Sequence, residues 1–310
     1  MLGHYQRLSA TYRISLILNF NLSSRMIYVL FSVCFSVLVA VLIKLARKQR
    51  VDVQQLVLWN YPTTVALSYY LFSPSLKALN WKALPYEFYL PLMVLLPTLF
   101  IFIALSVKYS GIVKTDIAQR MSLFVPLIAS FLIFNESLDT AKIIGILAGL
   151  LAMVCSVSWG KGSKGQGGKT AVYPLIVFIG MGVIDILFKQ IAQFKHIPYT
   201  TSMFLVFVGA MLVAGFILWF KKVFSKSKLD KSAIIWGLVL GLFNFANIYY
   251  YMKAHRAISD NPSVVFTAMN VGVIILGSLI GVIAFNEKLS SINKIGLVLA
   301  VASILLISYL

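Results

Sequence analysis

Residues 134–145 read FNESLDTAKIIG, and residues 285–296 read FNEKLSSINKIG. Both stretches begin with Phe-Asn-Glu, carry a leucine two positions after the glutamate and end in glycine, so the shared positions lie 151 residues apart. Upstream in each half, a second set of matches has a constant offset of 145 residues and pairs Tyr28, Leu30, Leu42 and Lys44 with Tyr173, Leu175, Leu187 and Lys189. A sequence that repeats on this scale predicts two copies of one structural unit.

The composition is that of a membrane protein. Apolar residues make up 60% of the 310 residues and the mean hydropathy is +0.91, whereas soluble domains contain about 45–50% apolar residues. The excess is concentrated in repeated runs of about 20 residues, the length that a helix needs to cross the hydrocarbon layer of a bilayer. The chain is therefore predicted to be an all-α integral membrane protein.

Ten apolar segments are predicted to form transmembrane helices. With five helices in each half, the second unit must enter the membrane from the opposite side to the first. The predicted fold is therefore a 5+5 inverted-topology repeat, an arrangement that recurs in secondary transporters because the two halves can exchange conformations around one midplane site. The predicted helices, numbered 1 to 10 in chain order, span 27–46, 53–72, 86–106, 113–133, 139–159, 172–193, 199–220, 232–252, 262–284 and 292–310.

The same pattern divides the chain into domains. Residues 27–159 and 172–310 are predicted to be the two five-helix repeats. Residues 1–26 are interpreted as an N-terminal tail that is poorly ordered, or that precedes a functional start at Met26. Residues 160–171 are interpreted as a flexible Gly/Lys linker. Their sequence is close to that of a phosphate-binding loop, but it follows no strand and lies between two membrane helices.

Small residues and one proline are predicted to shape the helix packing. Glycines with GxxxG spacing allow neighbouring helices to approach closely in lipid. Pro62 frees a backbone carbonyl inside helix 2, which indicates a kink or a hinge. The glutamates of the two Phe-Asn-Glu copies, Glu136 and Glu287, are interpreted as capping groups at the membrane ends. The GxxxG pairs are Gly145/Gly149, Gly237/Gly241 and Gly277/Gly281.

The charge is strongly basic, with 27 Lys and Arg against nine Asp and Glu and a net charge of +18. In a soluble protein this would indicate nucleic acid, but most of the basic residues fall between apolar runs, where they meet lipid headgroups or determine topology. No nucleic acid partner is expected. The two cysteines lie inside apolar runs, and the sequence carries neither H-E-x-x-H nor G-x-S-x-G. We therefore expect no catalytic residue, no metal site and no cofactor.

The chain resembles the EamA family of the drug/metabolite transporter superfamily over residues 27–310. The resemblance rests on ten helices with short connections, the repeated F-N-E-x-L-x6-G pattern and Pro126 ahead of its first copy. The family more often has Gly before the glutamate, where this chain has Asn135 and Asn286, and Gly277 occupies the second-half position of Pro126. The resemblance implies a carrier of small metabolites in the bacterial inner membrane, with a central cavity between the two halves and both termini in the cytoplasm.

On predicted helix 4, Asp116, Gln119 and Arg120 fall at i, i+3 and i+4 and share one face. Asp116 is interpreted either as a carboxylate at the helix N-terminus or as part of a face that points into the cavity. In the second case Arg120 and Gln119 bind a carboxylate or phosphate, for which the guanidinium fork is well suited. These three residues are substrate-binding candidates.

On predicted helix 6, Asp185 and Lys189 fall at i and i+4 and can neutralise each other. The alternative is that Lys189 holds Asp185 as a proton or substrate site. Lys44 is the repeat equivalent of Lys189, but Ala40 occupies the position that corresponds to Asp185. Asp185, Lys189 and Lys44 are therefore candidates for an ion pair or for coupling to protons.

Further substrate-binding candidates are Asn244, Asn247 and Tyr251 on predicted helix 8 and Asn270 on predicted helix 9. The alternative for each asparagine is a hydrogen bond to a neighbouring helix.

The predicted function is a secondary transporter that exports a small polar metabolite, such as an amino acid or a related organic anion or zwitterion, by alternating access. A flippase for a lipid-linked substrate and a multidrug efflux carrier are alternatives on the same fold. The positive-inside bias places both termini outside, in conflict with the resemblance, which we favour. A homodimer is left open.

Overall fold

The computed structural model describes residues 2–74, 76, 79–110, 112–137, 139–156, 172–224, 229–285 and 291–308. This part of the chain is helical and contains no strand. The helices are α1 Leu2–Lys48, α2 Val53–Leu58, α3 Tyr61–Phe72, α4 Tyr86–Ser110, α5 Ile112–Met121, α6 Phe124–Leu132, α7 Thr140–Ser156, α8 Val172–Gln193, α9 Tyr199–Phe224, α10 Lys231–Ala257, α11 Pro262–Phe285 and α12 Ser291–Ser308.

Each of the ten segments that the sequence predicts to be helical overlaps at least one of these helices. Predicted helices 2 and 4 are each divided in two, into α2 and α3 and into α5 and α6. Six helices are long and apolar enough to cross a membrane, namely α4, α8, α9, α10, α11 and the Arg25–Lys48 part of α1. Shorter apolar segments lie at Ala118–Leu132, Ile143–Ala152 and Lys294–Ser303. The chain is thus a multi-pass α-helical membrane protein.

Helix α1 begins upstream of the predicted boundary. Its backbone is helical from Leu2 and continues without a break into the apolar span. The division of the chain at residue 26 stays a prediction, as does the division into two repeats. The predicted linker 160–171 lies outside the described residues, and so do Asn286 and Glu287 of the second Phe-Asn-Glu copy.

Prolines account for the two divided helices. Proline has no N–H with which to donate to the carbonyl four residues earlier. Pro62 therefore leaves the carbonyl of Leu58 free, and α2 ends there. Pro126 likewise cannot bond to Ser122, whose carbonyl instead accepts a 3.0 Å hydrogen bond from the N–H of Val125. The sequence prediction of a kink at Pro62 is confirmed.

Helices of the two halves of the chain pack against each other. In the first half, α1 packs on α10 and α11, α3 packs on α9 and α10, and α4 packs on α8 and α9. At one side of the bundle, α7 packs along α12. Most of the buried apolar side chains form one cluster to which helices of both halves contribute.

Glycines bring the broken helices close to their neighbours. A Cβ added to Gly241 of α10 would lie 2.5 Å from the carbonyl oxygen of Asn60, and one added to Gly237 would lie 2.5 Å from the Cβ of Trp59. A Cβ on Gly182 of α8 would lie 2.4 Å from the Cβ of Val125, beside the second break. The backbones of α8 and α10 therefore contact the points where predicted helices 4 and 2 are interrupted.

The GxxxG predictions hold at two of three places. Gly237 and Gly241 contact the first break. A Cβ added to Gly149 of α7 would lie 2.8 Å from the hydroxyl oxygen of Ser303 on α12. At Gly277 an added Cβ would meet nothing within 4 Å. The prediction of close packing at Gly277 is therefore wrong.

Candidate functional site: a polar cavity and the buried groups beneath it

A polar cavity of about 860 Å³ opens at one end of the helix bundle. Its wall combines the segment that follows α6 in the first half with the ends of α8 and α10 and their connections in the second half. The residues that line it are Phe134, Asn135, Ala192, Gln193, Phe194, Lys195, Ile197, Pro198, Arg256, Ser259 and Asp260.

The backbone at Asn135 explains one of the departures from the family pattern. Asn135 has a φ of 51° and follows the end of α6. Glycine and asparagine are the residues that most readily adopt this left-handed conformation, and it commonly ends a helix. Asn135, where the resemblance leads us to expect Gly, therefore fits this position without a change in the backbone.

Two cations and one acid give the cavity a net positive charge. Lys195 and Arg256 are exposed, and the guanidinium of Arg256 lies 4.9 Å from the ring centroid of Tyr199. Asp260 accepts a 3.1 Å hydrogen bond from the hydroxyl of Ser259. The planar guanidinium of Arg256 presents several donors to a carboxylate or phosphate. The cavity is therefore suited to an anion or to a zwitterion whose ammonium meets Asp260.

Lys189 is bound to a residue of the cavity wall. Its side chain is fully buried, and its Nζ donates a 2.8 Å hydrogen bond to the carbonyl of Ser259. Gln193 donates to the same carbonyl at 3.0 Å. Lys189 Nζ also lies 5.4 Å from the ring centroid of Phe134. One buried ammonium thus joins α8 to the connection between α10 and α11 and to the first Phe-Asn-Glu stretch.

Asp185 and Lys189 hydrogen-bond to different partners. The carboxylate of Asp185 accepts a 2.8 Å hydrogen bond from the hydroxyl of Tyr251 on α10, while Lys189 donates to Ser259. The structure therefore brings together the coupling candidate Asp185 and the substrate-binding candidate Tyr251, which the sequence had assigned to separate groups.

Glu136 caps a helix, as predicted, but not the next helix in the chain. Its carboxylate accepts a 2.9 Å hydrogen bond from the N–H of Ser263 and a 2.5 Å hydrogen bond from the Ser263 hydroxyl, at the first turn of α11. A carboxylate at a helix N-terminus satisfies free N–H groups and interacts favourably with the helix dipole. The first Phe-Asn-Glu stretch thereby fixes a helix of the second half.

The asparagine candidates make hydrogen bonds to protein groups. Asn244 donates a 3.0 Å hydrogen bond to the side-chain oxygen of Asn60, at the first break. Asn247 accepts from Ser32 of α1 through its side-chain oxygen at 2.9 Å. Asn270 donates to the carbonyl of Phe266 in its own helix at 2.9 Å. For Asn244 and Asn247 these contacts are hydrogen bonds to a neighbouring helix, which was the predicted alternative to substrate binding.

The helix 4 candidates lie at the second break. Gln119 and Arg120 are half-buried near the end of α5, and the backbone carbonyl of Gln119 accepts a 2.6 Å hydrogen bond from the Ser122 hydroxyl. The side chain of Asp116 lies outside the described residues. Gln119 and Asn270 are separated by the same 151 residues as the Phe-Asn-Glu copies.

Sequence reasoning missed the basic side chains at the end of α10. Lys253 lies 4.6 Å from the ring centroid of Tyr28 and 5.6 Å from that of Tyr249, Arg256 lines the cavity, and His255 is fully buried. The only local signal was the closeness of these residues to one another after Tyr251. Such a cluster of basic and aromatic residues is as typical of a membrane interface as of a substrate-binding site.

At the opposite end of the bundle, a network of hydrogen bonds joins helix N-termini. The carboxylate of Asp230 accepts a 3.0 Å hydrogen bond from the N–H of Asp52, and the N–H of Asp230 donates to the side-chain oxygen of Gln55 at 3.0 Å. Gln55 in turn donates to the carboxylate of Asp52 at 3.0 Å. Lys221, near the end of α9, donates to Gln54. We call this set the Asp52–Asp230 network.

The hydrogen bond from the Asp52 N–H, together with those from Ala233 and Ser232, lowers the pKa of Asp230 below that of an ordinary aspartate. A carboxyl group whose pKa is lower in the folded than in the unfolded protein stabilises the fold above its unfolded pKa. The stabilisation is lost as the pH falls through the lowered folded pKa. The network is therefore complete at neutral pH.

The two repeat-equivalent lysines make equivalent contacts at opposite ends. Lys189 of the second half lies over Phe134 of the first, and Lys44 of the first half lies over Phe285 of the second, with its Nζ 3.8 Å from the ring centroid. Both phenylalanines begin a Phe-Asn-Glu copy. Each half thus supplies a lysine to the phenylalanine of the other half.

An apolar groove of about 560 Å³ lies between α1 and α11. Its lining is almost wholly hydrocarbon, and it lies within two of the candidate membrane spans. The residues that line it are Met26, Ile27, Val29, Leu30, Val33, Cys34, Ala268, Gly272, Ile275, Leu276 and Leu279.

Comparisons with known proteins agree with this architecture. The model of the EamA-like transporter family matches residues 169–309. A Haemophilus influenzae protein named "Uncharacterized protein" is 38% identical over 289 residues, which cover 91% of this chain and 97% of that protein. A solved crystal structure of a protein that is 15% identical to this chain has a TM-score of 0.72 and covers 92% of this chain and 96% of its own, a likeness of fold alone. The chain belongs to the EamA-like transporter family and is a membrane transporter of the drug/metabolite type.

Proposed function

We propose that the protein is a secondary transporter that exports a small polar metabolite, an organic anion or a zwitterion such as an amino acid, by alternating access. The observation that carries this proposal is the polar cavity between the two halves. Its volume of about 860 Å³ falls within the range of roughly 300–1,000 Å³ that is usual for small-molecule sites. Its exposed cations Lys195 and Arg256 supply the attraction for an anionic group.

Deeper contacts for the same substrate are proposed at the second helix break. Gln119 and Arg120 lie next to the interruption between α5 and α6, and discontinuous helices near the midplane are a common place for transporter sites. Asn270 occupies the position in the second half that corresponds to Gln119. We therefore retain these three residues, with Asp116, as substrate-binding candidates, whereas Asn244 and Asn247 are proposed to hold helices together.

Ten membrane spans in an inverted repeat form the second part of the proposal. The packing of helices supports it, because pairs recur when the halves are exchanged. For example, α1 packs on α10 and α11, while α8, which corresponds to α1, packs on α4 and α5. The lysine and phenylalanine contacts at opposite ends recur in the same way. Two halves related in this manner can alternate between two equivalent conformations.

The end at which the cavity opens is consistent with the proposed export. Lys253 and Tyr28 are in contact, so the cavity lies at the end where the span of α1 starts. The Ser303 hydroxyl, near the end of α12, donates to the carbonyl of Gly145, near the start of α7. The C-terminus of α12 therefore lies at the end of the bundle where α7 begins, which is the cavity end. With both termini in the cytoplasm, the cavity opens in this conformation to the cytoplasm of a bacterial cell, the side from which an exporter takes its solute.

The opposite end is proposed to be closed in this conformation by the Asp52–Asp230 network. It joins the N-termini of α2 and α10, and Lys221 adds α9 through Gln54. Release of the substrate on the far side requires these helix ends to separate. Alternating access then consists of opening this network while the cavity end closes.

The first experiment is solute transport in proteoliposomes. Purified protein is reconstituted, a pooled metabolite mixture is supplied on one side, and the solutes that cross are identified by mass spectrometry. We expect wild type to move one chemical class of anionic or zwitterionic solute and Arg256→Ala to reduce its rate at least tenfold. A tenfold loss corresponds to about 1.4 kcal/mol of binding, close to the lower end of the range of about 1.5–3 kcal/mol for a hydrogen bond to a charged group.

The matched control is Arg47→Ala, which removes an exposed arginine outside the cavity and should transport as wild type does. An equal loss of transport rate in both variants would contradict the assignment of the cavity as the substrate site. Failure of every soluble metabolite to cross would contradict the proposed function. The apolar groove between α1 and α11 then favours a second function, the flipping of a lipid-linked substrate. Movement of a fluorescently labelled lipid in the same vesicles would support that alternative.

A further inference from the structure

His255 is a buried histidine that packing alone does not explain. It is fully buried on α10, and neither ring nitrogen has a hydrogen-bond partner among the residues that the structure describes. Its ring lies between those of Tyr251 and Phe266, with centroids 4.7 Å away on each side. An imidazole always has polar nitrogens to satisfy, and each buried polar group left unpaired costs about 1–3 kcal/mol. A phenylalanine would fill the same space without that cost.

Tyr251 connects this histidine to a buried acid. Its ring contacts the imidazole of His255, and its hydroxyl donates to the Asp185 carboxylate at 2.8 Å. Tyr251 and His255 are one turn apart on α10, and Asp185 faces them from α8. Three side chains that can carry or pass a proton therefore lie together inside the bundle. Chains of acids and histidines of this kind form proton relays in membrane proteins.

Among the described residues, charged side chains of both signs lie on the elements that pack around the cluster. Lys189 of α8 contributes an ammonium bound to the Ser259 carbonyl, and Glu136 contributes a carboxylate bound to Ser263 of α11. Asp260 and Arg256 are exposed at the cavity, and Phe266 of α11 carries no charge. Half-buried Arg120 adds a guanidinium on α5, which packs on α8. An ionised side chain in the membrane interior costs about 2.5–3.5 kcal/mol on insertion scales, and protonation of a carboxylate removes that charge.

We propose that Asp185, Tyr251 and His255 form a proton-binding site that couples transport to the proton gradient. The site holds one proton, either on the Asp185 carboxylate or on the His255 imidazole. The proton comes from water in the cavity, forms an O–H or N–H bond in the site and returns to water on the other side, with no other bond made or broken. The coupling role rests on the proposed function, whereas the binding of a proton does not.

The site lies where a proton can influence the substrate cavity. Lys189, one turn from Asp185, and Gln193 share the Ser259 carbonyl, and Gln193 and Ser259 line the cavity. An ionised Asp185 attracts Lys189 along their common helix face, and a protonated Asp185 does not. Uptake of a proton therefore changes the force on the hydrogen bond between Lys189 and Ser259 of the cavity wall.

Proton binding can be measured without a substrate. Infrared difference spectra of protein in lipid vesicles, recorded between neutral and acidic pH, report the C=O stretching band of each carboxyl group that becomes protonated. We expect wild type to show a band from a buried carboxylic acid and Asp185→Asn to lose it. Asparagine keeps an oxygen that accepts from Tyr251, so the fold is retained. Glu87→Gln, which changes an exposed carboxylate, should leave the buried band in place.

The role of the histidine is tested by His255→Phe, with the exposed His196→Phe as its control. With His255 replaced, the proton can reside only on Asp185, so the pH at which the band appears should shift, while His196→Phe should leave it unchanged. In proteoliposomes, Asp185→Asn should still allow solute to run down its own gradient. It should no longer allow accumulation driven by a pH gradient.

The outcomes separate this inference from the proposed function. A buried-carboxyl band that is the same in wild type and Asp185→Asn overturns the proton site, whatever is transported. An unshifted band in His255→Phe removes His255 from it. If the band depends on Asp185 but no solute crosses under any gradient, the proton site stands and the transport proposal fails. If Asp185→Asn still accumulates solute with the pH gradient, the coupling is refuted.

Discussion

At the scale of single residues, buried charges of this protein are satisfied across the interface between the halves. Glu136 is the clearest case, because it follows a helix of the first half and holds the N-terminus of α11 in the second. Lys189 of the second half makes the reverse contact, because its ammonium lies over the ring of Phe134 in the first half. A buried charge that loses its partner is costly, so each of these side chains ties the position of one half to that of the other.

Replacing Glu136 with Ala should lower the thermal stability of the protein in detergent. The change removes two hydrogen bonds to a charged group, each of which contributes about 1.5–3 kcal/mol. Ser263→Ala removes only the hydroxyl and should cost less. Because the two residues are in contact, the double variant should lose less than the two single variants added together. Thermal unfolding followed by intrinsic fluorescence measures all three.

Glu87→Ala serves as the control, because Glu87 is exposed in the first turn of α4 and should change the melting temperature little. Strictly additive losses from Glu136→Ala and Ser263→Ala would show that the hydrogen bonds between them do not stabilise α11.

At the scale of helices, the interrupted segments are supported by the helices that they contact. Each break exposes backbone groups that a continuous helix would satisfy, and such groups are tolerated in a membrane only where protein covers them. Gly241 of α10 covers the first break and Gly182 of α8 covers the second. Both supporting residues are glycines because any side chain would collide with the interrupted backbone.

Gly241→Ala should destabilise the protein and weaken transport. The added methyl group would lie 2.5 Å from the Asn60 carbonyl oxygen and 2.6 Å from the Cβ of Thr63, so α3 and α10 must move apart. Overpacking of this kind costs about 1–3 kcal/mol. Thermal unfolding in detergent, together with solute transport in proteoliposomes, measures the effect.

Gly215→Ala is the matched control, since a Cβ at that position of α9 meets nothing within 4 Å. Removing a helical glycine there should be neutral or should stabilise the protein by about 0.5–1 kcal/mol. If both alanine variants melt at the same temperature, the close approach at the first break is not required for stability.

At the scale of the whole molecule, the two ends of the bundle differ. One end has the cavity, and the other has the Asp52–Asp230 network, which joins helix N-termini through both side chains and backbone. A transporter with one open and one closed end has access to one side of the membrane only. The free energy of this network therefore contributes to the balance between the two conformations.

We expect Gln193→Cys, in a background without Cys34 and Cys155, to react with a membrane-impermeant maleimide from the cytoplasmic side only. Adding Asp230→Ala removes the acceptor of the Asp52 N–H and the cap of α10, at a cost of about 1 kcal/mol. The equilibrium should then shift about fivefold toward the conformation that is open on the far side. Labelling from the cytoplasm should slow accordingly.

Lys231→Ala, at the exposed neighbour of Asp230, is the control and should leave the labelling rate unchanged. Labelling from the periplasmic side would reverse the proposed orientation, and an unchanged rate in the Asp230→Ala variant would exclude the network as a gate.

Much of the fold could be predicted because its signals are local. Runs of apolar residues long enough to span the bilayer indicate helices by length alone, and Pro62 interrupts one of them because it has no N–H to donate. The role of Glu136 as a cap was also predictable, since Asn-Glu stands at the end of an apolar run. Its partner was not, because Ser263 lies 127 residues further along the chain.

The sequence by itself determined that this protein is a multi-pass helical membrane protein with a duplicated signal, because hydrophobic length and repeated spacing can be read from neighbouring residues. Only the tertiary structure decided which polar groups meet. Spacing on one helix favoured a pair between Asp185 and Lys189, but Asp185 bonds to Tyr251, 66 residues away, and Lys189 to Ser259. Helix packing sets those distances, and it also placed Arg256 in a cavity and His255 beside Tyr251.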